Sequence, residues 1–246
     1  MSILPRPTMR YVAPGATGTL MLKSTLPFTI LCVLLMNSIS PTRAQENAAE
    51  LYKQNPNYDL QTGLFDIYTT DRADIVMLGN SITFGVNWNE LMGRNGIVNR
   101  GINGDLTEGI FHRLDYVIRL HPRVCCIMAG INDIYGDIPV ATIFENYKAI
   151  VRRLRDNRIT PVIHATLFVS PRWKEHVARN REVIKLDSLL STYAAEEDID
   201  HLDLNIRMSP GGTLREDLTY DGVHLNPRGY EIWRDELEKI LRKFGL

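Results

Sequence analysis

Cysteine is scarce in this chain. Of three in 246 residues, Cys125 and Cys126 are neighbours. Adjacent side chains on an extended strand point to opposite faces, so these two read as free buried thiols and no disulfide framework is expected. Blocks of like charge are also missing. The 28 Lys and Arg and 29 Asp and Glu are mixed along the sequence, which excludes the basic footprint of a nucleic-acid binder and an acidic solvating tail. His112, His121, His164, His176 and His201 show no paired metal-ligand spacing, and no metal or other cofactor is expected. There is no internal repeat and no linker after residue 70. No apolar run is long enough to span a bilayer as a stable helix.

The most apolar stretch, residues 26–36, has a different reading. Lys23 precedes it, and polar, small residues ending in Thr42-Arg43-Ala44 follow. This is the charged, apolar and cleavage layout of a secretory signal cut after Ala44; the competing reading is an uncleaved anchor. Residues 1–20 fit neither, and Met21 would make a tidier start. Removing residues 1–44 takes away Arg6, Arg10, Lys23 and Arg43 and no acid, leaving a mildly acidic exported chain with no stable membrane span. Residues 45–70 read as a leading helix and loop, and residues 71–246 as one domain.

What is present is alternation. Apolar runs at 75–78, 96–99, 124–129, 161–165 and 199–203 read as strands. Between them lie helical patterns, clearest at 139–157, where Val140, Ile143, Phe144, Tyr147, Ile150, Val151 and Leu154 share one face. A last helix opens with Asn226 as cap and Pro227 in its first turn. Weaker patterns cover residues 106–120 and 174–195. Strands alternating with helices predict crossover connections and a central parallel sheet covered on both sides, a three-layer α/β domain.

In such a sheet the loops after the strands open on one edge, where α/β folds place their sites. Ser81 follows the first strand after Gly79-Asn80, Gly104 the second, and Gly130-Ile131-Asn132-Asp133 the third; Asp221 and His224 precede the last helix. Ser, His and Asp on one rim suit acyl transfer: a nucleophile, a base and a group that orients the base. The N–H groups of Ser81 and Gly104 and the side-chain amide of Asn132 suit an oxyanion. Each piece alone has a plainer reading: a turn at Gly79-Asn80-Ser81, turn chemistry at Gly104-Asp105, a helix cap at Asn132-Asp133, a surface pair or half a metal site (with Asp133) at Asp221 and His224. Trp173 either lines the pocket or belongs to a helix start at Ser170-Pro171. Tyr135 either forms a wall beside Asn132 or packs on the surface. Thr83 stands where an α/β-hydrolase elbow needs Gly.

Ser81, Gly104, Asn132 and His224 match the four blocks of the SGNH hydrolases, also called GDSL-like esterases, and residues 74 to 241 resemble that family. Gly130-Ile131-Asn132-Asp133 and Asp221-Gly222-Val223-His224-Leu225-Asn226 are the most specific pieces. Asn80 and Ile82 depart from the family's name motif. The resemblance implies a flavodoxin-like three-layer α/β/α fold and metal-independent hydrolysis of esters or thioesters. It implies Ser81 as nucleophile, His224 as base, Asp221 as its partner, and Ser81, Gly104 and Asn132 as oxyanion donors. With export, it points first to removal of acetyl or other short acyl groups from a small-molecule or glycan ester. The alternatives are a lysophospholipase or acyl-thioesterase, or an inactive carbohydrate-binding scaffold.

Overall fold

A computed structural model describes residues 50–246. The expected signal segment, its cleavage point at Ala44 and residues 45–49 lie outside the described residues. The apolar runs form strands β1 (Ile75–Gly79), β2 (Ile97–Gly101), β3 (Val124–Met128), β4 (Thr160–His164) and β5 (Asp200–Leu202). All pair in parallel, in the order β2-β1-β3-β4-β5. Every residue of β1 and β3 is buried, as expected of central strands covered on both faces. The chain order reverses between β1 and β3, which is where doubly wound sheets open a crevice at the strands' carboxyl ends. The register sets Gly79 opposite both Gly101 and Met128, so the first three strands finish level and their loops leave at one rim.

The helices are α1 (Pro56–Ile67), α2 (Ser81–Phe84), α3 (Trp88–Met92), α4 (Thr107–His112), α5 (Asp115–Ile118), α6 (Ile131–Tyr135), α7 (Val140–Asp156), α8 (His176–Glu196), α9 (Asn205–Met208) and α10 (Pro227–Lys243). In α7 the residues on the predicted face are indeed those that are buried, apart from the half-buried Val140 and Phe144. α10 begins as expected, with the Asn226 side chain accepting from Gly229 N and Pro227 in the first turn. α4, α7 and α8 pack in succession on one side of the sheet, and α10 packs on α3 and β5. Trp88 and Trp233, both fully buried, meet edge to face at 4.8 Å. Cys125 and Cys126 are free and buried.

Three expectations are corrected. The pattern over 106–120 is two short helices broken at Arg113, whose side chain turns into the interior. The second strand runs on through Asn99, Arg100 and Gly101; its polar residues disguised it, because Arg100 is buried with its guanidinium 4.5 Å from the Phe65 ring. Ser170-Pro171 opens no helix. Ser170 Oγ accepts from Arg172 N in a turn, and α8 starts only after Glu175, a left-handed residue at φ 65°. The leading segment is a short 3-10 turn (Leu51–Gln54) followed by α1, and it packs Tyr52, Tyr58 and Phe65 on Ile102.

Candidate active site

Ser81 owes its position to two residues before it. A Cβ on Gly79 would lie 2.3 Å from both Met128 O and Thr83 Oγ1, so only glycine permits so close a turn at the strand end. Asn80 is fully buried and its Oδ1 accepts from Ile82 N at 3.0 Å, capping the single turn of α2. Ser81 thus becomes the first helical residue, at the carboxyl end of a central strand.

The last loop brings a partner from 143 residues away. His224 Nε2 lies 2.9 Å from Ser81 Oγ, and His224 Nδ1 lies 2.5 Å from Asp221 Oδ2. The other carboxylate oxygen of Asp221 accepts from the backbone N–H groups of Val223 (2.9 Å) and His224 (2.8 Å). The loop therefore grips its own acid, and Gly222 at φ 99° supplies the left-handed turn inside it. Partial burial opposes ionisation of Asp221, but the hydrogen bonds from His224 and the two backbone N–H groups outweigh it and hold the carboxyl below its usual range. The Thr219 hydroxyl donates to His224 O at 2.6 Å and accepts from Gly222 N at 2.9 Å, bracing the loop from behind.

Gly104 and Asn132 lie on the same rim as Ser81. Among the described residues, no acceptor is bonded to the N–H of Ser81 or of Gly104. Asn132 Nδ2 donates to Asp105 O at 2.9 Å, which leaves its second amide hydrogen free. A buried polar lattice beneath ties the three loops together. Arg113 donates from Nε to Asp105 Oδ2 at 2.7 Å and from Nη2 to Gly79 O at 2.9 Å, and both side chains of this pair are fully buried. Asp133 accepts from Thr107 Oγ1 at 2.6 Å and from Thr107 N at 3.0 Å. Burial pushes the Asp133 carboxyl up to about 6 against those hydrogen bonds. Its occupied, buried carboxylate does not reach into the cleft as a third partner for Asp221 and His224. Among the described residues, no group of three or more His, Cys, Asp or Glu side chains could hold a metal ion.

The Ser81 cleft has a volume of about 610 Å³ and is walled by Phe84, Tyr135, Trp173, Tyr220 and Val223. Tyr135 sits at the end of α6, on the cleft wall beside Asn132, with its ring 5.1 Å from that of Trp173. Phe84 and Tyr220 escaped the sequence reading. Their signals are local: Phe84 is three residues after Ser81 on the same helical turn, and Tyr220 adjoins Asp221. Its ring lies 5.7 Å from the His224 ring at 15° between planes. Among the described residues, no helix is long and apolar enough to cross a membrane.

Known proteins resemble this chain in fold or over part of its sequence. A GDSL-like lipase from Bacteroides thetaiotaomicron superposes with a TM-score of 0.67 at 24% identity, covering 76% of this chain and 98% of that one. The isoamyl acetate-hydrolyzing esterase of Saccharomyces cerevisiae is 23% identical over 173 residues, 63% of this chain and 73% of that protein. The N-acylneuraminate cytidylyltransferase of Streptococcus agalactiae is 26% identical over 124 residues, 46% of this chain, but the match spans only 29% of that longer protein. The profile of the GDSL-like lipase/acylhydrolase family matches residues 77–232, from the strand that presents Ser81 to the helix that follows His224. With more than half of the sequence inside that match, the chain belongs to the GDSL-like lipase/acylhydrolase family.

Proposed function

We propose that this protein is an exported serine esterase that removes acetyl or other short acyl groups from carbohydrate, working without a metal. The observation that carries the reading is the hydrogen-bonded relay from Ser81 Oγ through His224 to Asp221, at 2.9 and 2.5 Å. Ser81 Oγ attacks the ester carbonyl carbon while its proton passes to His224 Nε2. The ionised Asp221 holds the imidazole with Nδ1 protonated and stabilises the cation. Collapse of the tetrahedral intermediate expels the alcohol, which takes the proton from Nε2. A water then repeats the sequence on the acyl-enzyme and releases the acid. The N–H groups of Ser81 and Gly104 and the free amide hydrogen of Asn132 face the oxyanion.

A short acyl group is supported by the likeness to an esterase named for an acetate ester, and a sugar by the exposed aromatic faces of Phe84, Trp173 and Tyr220 around Ser81. Export rests on the signal-like layout of residues 23–44, and N-terminal sequencing of the secreted protein tests it; an intact Lys23 would overturn it. Hydrolysis of p-nitrophenyl esters from acetyl to long-chain acyl, with Ser81→Ala as control, tests the chemistry. Ser81→Ala should abolish turnover without lowering the melting temperature. Activity concentrated on the acetyl ester supports the reading, and release of acetate from acetylated oligosaccharides then tests the sugar. A long-chain preference would favour a lysophospholipase or thioesterase instead. No Ser81-dependent activity on any ester would favour an inactive binding scaffold.

A further inference from the structure

The peptide group joining Asn103 to Gly104 carries a carbonyl on one side and, on the other, the N–H assigned above to the oxyanion. A trans peptide is planar, so the two point in opposite directions, and whatever holds the carbonyl aims the N–H. Asn55 Nδ2 donates to Asn103 O at 2.7 Å. It is the one hydrogen bond to that carbonyl among the described residues. We propose that Asn55 is a positioning residue for ester hydrolysis, clamping the Asn103–Gly104 peptide so that the Gly104 N–H points at the developing oxyanion. The inference rests on the esterase reading given above.

The orientation of the Asn55 amide is decided from its other end. Its Oδ1 accepts from Asn57 N at 3.1 Å and from Asn57 Nδ2 at 3.2 Å, capping α1. The oxygen is therefore committed to the helix and the NH₂ group must face Asn103. The segment carrying Asn55 is itself held down. Tyr52, Tyr58 and Phe65 are buried around Ile102, and the Tyr58 hydroxyl donates to Gly109 O at 3.1 Å. Gly104 makes the clamp both possible and necessary. A Cβ there would stand 3.3 Å from Asn55 Nδ2, so glycine admits the close approach. At φ 74°, an unrestrained glycine also has neighbouring conformations open to it that would turn the N–H away. The same hydrogen bond draws electron density toward the carbonyl and strengthens the N–H as a donor.

Capping and clamping can be separated. Asp and Ser cap a helix about as well as Asn, but Asp carries no amide hydrogen and Ser is too short to reach Asn103 O. In the full-length protein, Asn55→Asp and Asn55→Ser should each lower kcat about 10-fold on the p-nitrophenyl ester turned over fastest. That is less than the 10²–10³-fold of a donor removed outright, and KM and the melting temperature should stay near wild type. Unchanged kcat in either folded variant overturns the clamp, as does a kcat loss in Asn55→Ser matched by a comparable fall in melting temperature. Ser81→Ala, assayed beside them, separates the two levels. Activity surviving there overturns the esterase reading, whereas Ser81-dependent activity with unaffected Asn55 variants overturns the clamp alone.

Discussion

At the scale of single residues, the site depends on side chains with more than one commitment. Asn132 shows this best. One of its amide hydrogens is spent on Asp105 O, which fixes the rotamer, and the other is free for the oxyanion role proposed above. Asn132→Ala should therefore lower kcat by about 10²–10³ with little change in KM, because the interaction it removes is made only in the transition state. Steady-state kinetics on a p-nitrophenyl ester would check this, and a near-normal kcat would remove Asn132 from the mechanism. Residue type and order make Ser81, Asn132, Asp221 and His224 legible in the sequence. Asn55 was not legible in the sequence, where residues 45–70 read only as a leading helix and loop. Its carbonyl partner lies 48 residues on, and no local pattern joins the two.

At the scale of elements, the three rim loops are held level by charges that hydrophobic patterning hides. Arg113 is the clearest case. A helical reading continues through residues 106–120, yet the guanidinium turns inward, pairs with Asp105, binds Gly79 O, and divides the segment into α4 and α5. Arg113→Ala would leave the Asp105 carboxylate buried without its counter-charge. Breaking one side of a buried pair in this way costs about 3–5 kcal/mol. Urea unfolding should show a loss of that order, and a change below about 1 kcal/mol would mean that Asp105 finds solvent or another donor. Arg100 repeats the lesson on β2, where a buried arginine under Phe65 made a strand look like the start of a loop.

For the molecule as a whole, stability carries a pH signature from a buried carboxyl that does not line the Ser81 cleft. Asp187 on α8 accepts from Thr166 N at 2.8 Å and from Asn205 Nδ2 at 3.3 Å, joining the end of β4 to α9. Burial pushes its carboxyl up to about 8 from 3.8, the Thr166 hydrogen bonds pull against that, and nearby Asp203 adds to it. Between those values the native chain holds a proton that the unfolded chain has released. Stability from this group is therefore full in acid and is lost as pH rises toward 8. Melting temperature should fall from pH 5 to pH 9, and Asp187→Asn, which cannot ionise, should flatten that fall. Equal slopes in the two proteins would show that Asp187 does not set the trend.

The division between sequence and tertiary structure follows from the range of each interaction. Apolar periodicity is a local property, so the strands, the long helix α7, the capped start of α10 and the alternation that implies a parallel sheet could all be read along the chain. That alternation also implied that Ser81, Gly104 and Asn132 would share a rim, since parallel strands send their loops to one edge. Whether a hydroxyl and an imidazole 143 residues apart come within 2.9 Å is not a local property. Nor is the burial of Arg100 and Arg113, the direction of one peptide group beneath Asn55, or the aromatic wall of Phe84 and Tyr220. Each of these needs a partner brought by packing from a distant part of the chain, and only the folded core decides which partners meet.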